Sequence, residues 1–206
     1  MNGRHPGWPA ELAEGPVGLR PLKRGDARMW SEIRLANEEW LAPWEPTHPM
    51  SWAARHQPVA FYPLLRQLRR QAREGYALPF AVTWEDRLVG QLTIGNIVRG
   101  AFCSGYAGYW VDGRYAGRNI TPTALALAVD HAFSRAGLHR IEVNIRPENV
   151  PSRRVVEKLG FRQESYHQRY LNIDGGWRDH LGYALTVEDV TPHGLLARWR
   201  AGTAAT

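Results

Sequence analysis

The stretch Trp110-Val111-Asp112-Gly113-Arg114-Tyr115-Ala116-Gly117-Arg118-Asn119-Ile120-Thr121 joins two unlike patterns. Before it, "CSGYAGYWV" (103–111) has the composition of a strand. After it, "ITPTALALAVDHAFSRAG" repeats Leu125, Val129, Ala132 and Phe133 at helical spacing, with Gly137 placed as a C-terminal cap. A strand therefore runs through a basic, glycine-bearing loop into a long helix. The first N–H groups of a helix have no partner within it, and together with the helix dipole they make an anion site. Gly117 lets the backbone come close to such an anion, and Arg114 and Arg118 add positive charge. Pro122 in the first turn costs no hydrogen bond. The loop is thus suited to a phosphate or pyrophosphate.

Upstream, "VGLRPL" (17–22) alternates as a half-buried strand does, and Asp26 is placed to cap a helix to about Asn37. "LAPWEPTHPM" (41–50) contains three prolines and reads as a loop. Residues 51–74 are helical in pattern, with Pro58 and Pro63 early; Leu65, Leu68 and Ala72 share one face, and Arg66, Arg69, Arg70 and Arg73 another. "PFAVTW" (79–84), "LVGQLTIGNIV" (88–98) and 103–111, joined by short polar turns, form an antiparallel meander. Downstream come a strand at 139–145, a short helix at 150–160, and strands at about 161–173 and 177–186 that meet at Asp174-Gly175-Gly176. The order β, α, α, three β, α, β, α, β, β predicts a mixed α/β (α+β) sheet, not a doubly wound nucleotide fold. Domain organisation follows: a flexible tail over 1–15, one domain over 16–190 and a second tail over 191–206.

Composition narrows the function. At 206 residues and 44% hydrophobic, the chain can bury a core without staples. A single cysteine excludes an internal disulfide, and eight histidines never spaced three or four apart show no metal pattern. The start of the chain lacks the apolar run of a signal peptide, and no apolar stretch approaches the ~20 residues needed to span a bilayer, so a soluble, cytoplasmic protein without membrane contact is expected. The net charge of +6 suits a polyphosphorylated cofactor, anionic lipid or nucleic acid, and equally a solvated surface. The arginine face at 66–73 is read as solvated, with no specific nucleic-acid site. Nine tryptophans are enough to line a groove as well as fill a core.

The spacing Arg114-x-x-Gly117-x-Asn119 resembles the pyrophosphate signature of the GNAT acetyltransferases, with Asn119 where a second small residue is usual. "RPENVPSRRVVEKLGF" (146–161) resembles the helix that follows the fifth strand in that family. "YLNIDGGWRDHLGYAL" (170–185) and "WLAPWEP" (40–46) are similar to the hairpin and the substrate-side loop of its ribosomal-protein-alanine N-acetyltransferase group, the RimJ/RimL type. The resemblance covers about residues 17–187 with order and spacing intact. It implies a mostly antiparallel seven-stranded sheet, flanked by helices, whose fourth and fifth strands (103–111 and 139–145) splay to admit acetyl-coenzyme A.

The resemblance also implies site residues. Main-chain contacts to the cofactor fall to Trp110 and Val111, with Arg114 as added charge. Pyrophosphate contacts fall to Gly117, Arg118, Asn119, Ile120 and Thr121, and pantetheine contacts to Asn149. An N–H near Tyr109 or Trp110 would stabilise the oxyanion, and Ser152 would bond the leaving sulfur, since Val156 occupies the place of a tyrosine found in some relatives. Arg169 stands where relatives often carry a carboxylate, which leaves Glu142, with Glu164 behind it, as the proton acceptor. Trp40, Trp44, Glu45, Tyr109 and Trp177 are the expected acceptor-binding residues, Glu45 by pairing with an ammonium group.

The expected acceptor is the N-terminal α-amine of a protein or peptide, one from the ribosome included, used by a monomer or homodimer. An α-amine has a reference pKa of about 7.7–8.0, against about 10.4 for lysine, so a weak base suffices. Two alternatives stay open: transfer to a small amine such as an aminoglycoside or polyamine, which would call for clustered acids, and a ribosome- or RNA-associated binding protein without turnover.

Overall fold

The meander and the hairpin expected from the sequence lie in one continuous sheet in the computed structural model, which describes residues 6–190 and 192–204. In chain order the elements are β1 (Leu12–Glu14), β2 (Val17–Pro21), α1 (Ala27–Ala36), α2 (Glu38–Leu41), α3 (Trp52–Arg55), α4 (Pro58–Glu74), β3 (Leu78–Trp84), β4 (Arg87–Val98), β5 (Ser104–Val111), α5 (Ile120–Ser134), β6 (Arg140–Ile145), α6 (Val150–Lys158), β7 (Arg162–Ile173), β8 (Gly176–Thr186) and α7 (Leu195–Ala204). The eight strands run in the order β1-β2-β3-β4-β5-β6-β8-β7. All neighbours are antiparallel except β5 and β6. The class is the mixed sheet expected, with eight strands in place of seven.

The added strand comes from the segment expected to be a loose tail: Leu12–Glu14 pairs with Val17–Leu19 across a tight turn, and Trp8 packs edge-on to Phe80 at 5.3 Å. At the other end, Leu195–Ala204 is a helix lying on α5, with Leu195 fully buried. Both ends order because apolar side chains there cover core residues; residues 1–5, 191 and 205–206 fall outside the described part. Asp26 also departs from expectation. Its carboxylate accepts from Lys23 N at 2.7 Å and pairs with Arg20 at 2.8 Å, so it latches the turn before α1 instead of capping that helix.

α5 is apolar all round because it is covered on two sides, by the sheet and by α7. α1 and α4 cover the other face through Trp30, Ile33, Phe61, Leu65 and Leu68, and the arginines at 66, 69, 70 and 73 are exposed as the pattern required.

The feature that positions the site lies at the centre of the sheet. β5 and β6 are in register only at Ser104–Arg140, Gly105–Ile141 and Tyr106–Glu142. Beyond Tyr106, β5 stays paired with β4 as far as Val111, and β6 stays paired with β8 as far as Ile145. The strands fork there, and the fork opens beside the start of α5.

Candidate active site

Within the fork the main chain of β5 alternates. Asp112 N donates to Val89 O at 2.8 Å, and the register Gly90–Val111, Gln91–Trp110 then turns the N–H and C=O of Trp110 toward β4. By the same alternation Tyr109 and Val111 turn theirs away from β4, into the gap. This corrects one expectation. Trp110 is tied into the ladder, and the gap-facing main chain belongs to Tyr109 and Val111, with Val111 O already accepting from Trp40 Nε1 at 3.2 Å. Trp40 buttresses this strand end and the Gly113 turn, and does not line the cavity.

The loop between β5 and α5 is held from below. Asp112 is buried, and its carboxylate accepts from Asn37 Nδ2 at 3.1 Å and from Arg114 Nε at 3.0 Å. Burial by itself would raise the Asp112 pKa, but the Arg114 side chain, the Arg114 N–H and the Asn37 amide outweigh it and hold it below the usual carboxylate range. Arg114 is thus engaged in neutralising Asp112, a different task from the free anion contact expected of it. Arg118 is exposed, with its guanidinium 5.3 Å from the Tyr115 ring centre. Gly117 (φ +79°) and Asn119 (φ +57°) both adopt the left-handed region, which explains how Asn serves where a small residue is usual. Ile120 buries its side chain in the core and can offer an anion only its backbone, while Thr121 is half-buried. Lys158 of α6, which the sequence did not single out, reaches to 3.5 Å from Asn119 Oδ1 and adds a cation at this helix start.

The fork opens into a cavity of about 580 Å³. Asn149 and Ser152 line it, brought there by the start of α6, where Asn149 Oδ1 accepts from Ser152 N at 3.1 Å as a true cap. Tyr109 lines it from the facing strand and donates its hydroxyl to Ser152 O at 3.3 Å; burial pushes the phenol pKa up, so it stays protonated. A side-chain hydrogen bond from Ser152 to the same phenol opposes the effect of burial without reversing it.

The acceptor side is built from the two segments expected to form it. The 42–47 loop is stitched to the β7–β8 hairpin by Thr47 N to Asn172 O (3.0 Å), Asp174 N to Glu45 O (3.2 Å) and a Pro46–Ile173 bridge. Arg146 binds the loop from below, donating to Pro43 O at 2.7 Å with its guanidinium 5.3 Å from the Trp44 ring centre. Trp44 and Glu45 line the cavity, whereas Trp177 is 63% exposed on the hairpin and does not. Glu45 is already paired, 2.8 Å from Arg34 and 3.8 Å from Arg55, so its carboxylate is not free to receive an ammonium. Arg34 is buried; burial lowers its pKa, and Glu45 only partly offsets that.

Neither expected base reaches the cavity. Glu142 is 2.7 Å from Arg140, and Glu164 is 2.6 Å from Arg140 and 2.8 Å from Arg162. Arg169 sits on a β7 bulge at positive φ, its N–H donating to Asp179 Oδ1 at 2.7 Å. Lining groups that the sequence did not single out are Arg34, His56, Asn144, Arg146 and His180. Period-two alternation along β6 and β8 was the available signal for Asn144 and His180. No local pattern marked the others.

A mixed sheet that forks beside a helix start able to bind an anion defines an acetyltransferase of the GNAT class. The family model described as "Acetyltransferase (GNAT) domain" matches residues 17–162, and the chain belongs to that family, with acetyl-coenzyme A as its acetyl donor. It is 33% identical over 182 residues to the [Ribosomal protein uS5]-alanine N-acetyltransferase of Escherichia coli, covering 84% of this chain and 89% of that one. Among solved structures, RimJ of Mycobacterium smegmatis in complex with CoA-disulfide superposes with a TM-score of 0.94 at 45% identity, covering 97% of each chain. The ribosomal-protein-S5-alanine acetyltransferase of Vibrio fischeri gives a TM-score of 0.79 at 29% identity, covering 89% of this chain and 100% of that one.

The residues at the fork fit this donor. An extended arm meets the gap-facing edge of β5, and nothing of the protein lies within 4 Å of where a Cβ on Gly117 would stand. Among the described residues no helix is long and apolar enough to cross a membrane.

Proposed function

We propose that the chain transfers acetyl from acetyl-coenzyme A to the α-amine at the N-terminus of a protein, a ribosomal protein being the favoured acceptor. The observation that carries this is the acceptor side of the cavity. The charges lining it are Arg34, Arg55 and Arg146 against Glu45, and Glu45 is doubly paired. A polyamine or aminoglycoside is a polycation and would meet net positive charge there. An N-terminal peptide brings one ammonium on an uncharged backbone, and its approach runs past Trp44. The activity of the Escherichia coli relative, acetylation of an alanine on ribosomal protein uS5, supports the same class.

When bound, acetyl-coenzyme A supplies an activated thioester; the chain's own residues bind and orient. The N–H groups from Gly117 to Thr121, with Arg118 and Lys158, hold the pyrophosphate. Val111 N–H and the Asn149 side-chain amide hold the arm. Tyr109 N–H faces the gap and is the oxyanion donor. Ser152 Oγ bonds the departing sulfur.

In a competition assay read by free-thiol release, a peptide with a free N-terminal Ala or Ser should react at least about tenfold faster than its N-blocked form carrying an internal lysine. The expected ratio follows from the roughly 2.5-unit difference in amine pKa. A blocked peptide or an aminoglycoside that reacts faster would overturn the acceptor assignment.

A further inference from the structure

The titratable groups lining the cavity are Arg34, Glu45, His48, Arg55, His56, Tyr109, Arg146 and His180. A base for the incoming amine needs a free lone pair, and most of these lack one. Glu45 is held by two arginines, and His56 Nε2 accepts from Arg34 Nε at 3.1 Å. His48 Nδ1 accepts from Met50 N at 3.0 Å, which leaves the proton on its Nε2. His180 differs. Its Nδ1 stands 3.0 Å from Arg178 O, and a carbonyl can only accept, so the proton sits on Nδ1 and the lone pair on Nε2. The hydrogen bond of the ring is the one at Nδ1, which leaves Nε2 without a partner among the described residues, and the residue, 3% exposed, borders the cavity.

A second acceptor lines the same cavity. Asn144 Oδ1 is buried without a hydrogen-bond partner, and Asn144 also lines the cavity. Asn144 is in register with Gly182, so His180, two residues along β8, is on the same face. Two acceptors on one face of the β6–β8 pair, both lining the cavity, match the two N–H bonds of a primary amine.

We propose that His180 Nε2 is the general base of the reaction, with Asn144 Oδ1 accepting the amine's other N–H; this rests on the cavity being the place where the amine meets the donor. The amine nitrogen bonds to the thioester carbonyl carbon and one of its protons passes to Nε2. The C–S bond then breaks with its electron pair on sulfur. The imidazolium releases its proton to solvent, and the thiolate takes one up as the free thiol.

Tyr170 of β7 meets the ring edge-on at 5.8 Å, and the charged and titratable groups that act on it are Arg146 at the end of β6, His167 of β7 and Asp179 of β8, with the Arg178 carbonyl bonded to Nδ1. Burial first, then Arg146 and His167, lower the His180 pKa; the Arg178 carbonyl and Asp179 oppose this without reversing it. The base is therefore neutral and competent at pH 7, and is lost by protonation only on the acid side.

The test compares the wild-type enzyme with His180→Gln and His180→Ala. In nitrogen-15 spectra of histidine-labelled protein, the imidazole missing from the variants should be the neutral Nδ1–H form at pH 7, titrating below the ordinary value of about 6.5. Turnover should fall about 100-fold in His180→Gln with acetyl-coenzyme A affinity unchanged, and added imidazole should restore part of it in His180→Ala. The acid limb of kcat/KM should flatten in His180→Gln. A protonated or Nε2–H ring at pH 7, or undiminished turnover, overturns the proposal. Failure of the wild-type enzyme to use N-terminal peptides counts against the acceptor assignment instead; the kinetic comparison is then made on the amine it does use, and the tautomer decides regardless.

Discussion

His56 accepts a hydrogen bond from Arg34 and lies close to Arg55, so protonation would add a third positive charge to a buried cluster. Its pKa is pushed down to about 3, by burial first and then by the two arginines. The folded value lies below the unfolded one, so His56 contributes stability above about pH 6.5 that is lost as pH falls toward 3. The loss approaches about 1.4 kcal/mol per pH unit in that window. Denaturant titrations at pH 7.5 and pH 5 should show His56→Gln less stable than wild type at the higher pH and less sensitive to the change. Gly117 makes a different demand. Its φ of +79° strains any other residue, and no protein atom would touch a Cβ there, so a side chain at this position would project into the space where the proposed pyrophosphate site opens. Gly117→Val should cost about 1–2 kcal/mol of stability from backbone strain and abolish saturable acetyl-coenzyme A binding in calorimetry. Gly117→Ala shares most of the strain and adds less bulk, and should retain weakened binding. Unchanged affinity in a folded Gly117→Val protein would remove the loop from the donor site.

Among the elements, α7 is held by a residue of another helix. Asp130 of α5 accepts from Leu195 N at 2.7 Å and Leu196 N at 2.9 Å, serving as the cap that α7 does not carry in its own sequence. Asp130→Ala should lower stability by about 1–2 kcal/mol, or roughly 2–8 °C in melting temperature, without changing acetyl-coenzyme A affinity. That borrowed cap also explains why α7 was not legible: 195–204 shows neither a start signal nor a strong apolar stripe, and Leu195, Leu196 and Trp199 gain meaning only against α5. Leu12–Glu14 was missed for a related reason, since three residues are too few to show alternation. Strands and helices with a full period were legible, down to the Asp174–Gly175 turn with both residues at positive φ.

Across the whole molecule, the parts of the site that follow one another in the chain were readable and the parts that meet from distant strands were not. The β5–α5 junction and the Asn149–Ser152 cap could be placed because strand, loop and helix are contiguous. Glu142 is a poor base because it does not line the cavity, and its carboxylate is paired with Arg140, its neighbour on the same face of one strand. His180 and Asn144 meet only through the β6–β8 register. The fork has one more effect. The β1–β5 and β6–β8 halves are joined along the sheet by three registered pairs, so the molecule is two leaves on a short spine. At the middle of an eight-stranded sheet, the amides of Tyr109 and Val111 should then exchange with deuterium like those of a loop, while Gly108 and Trp110, tied to β4, exchange slowly. A donor lying in the fork would silence that odd–even rhythm, and protection factors along one strand would report occupancy.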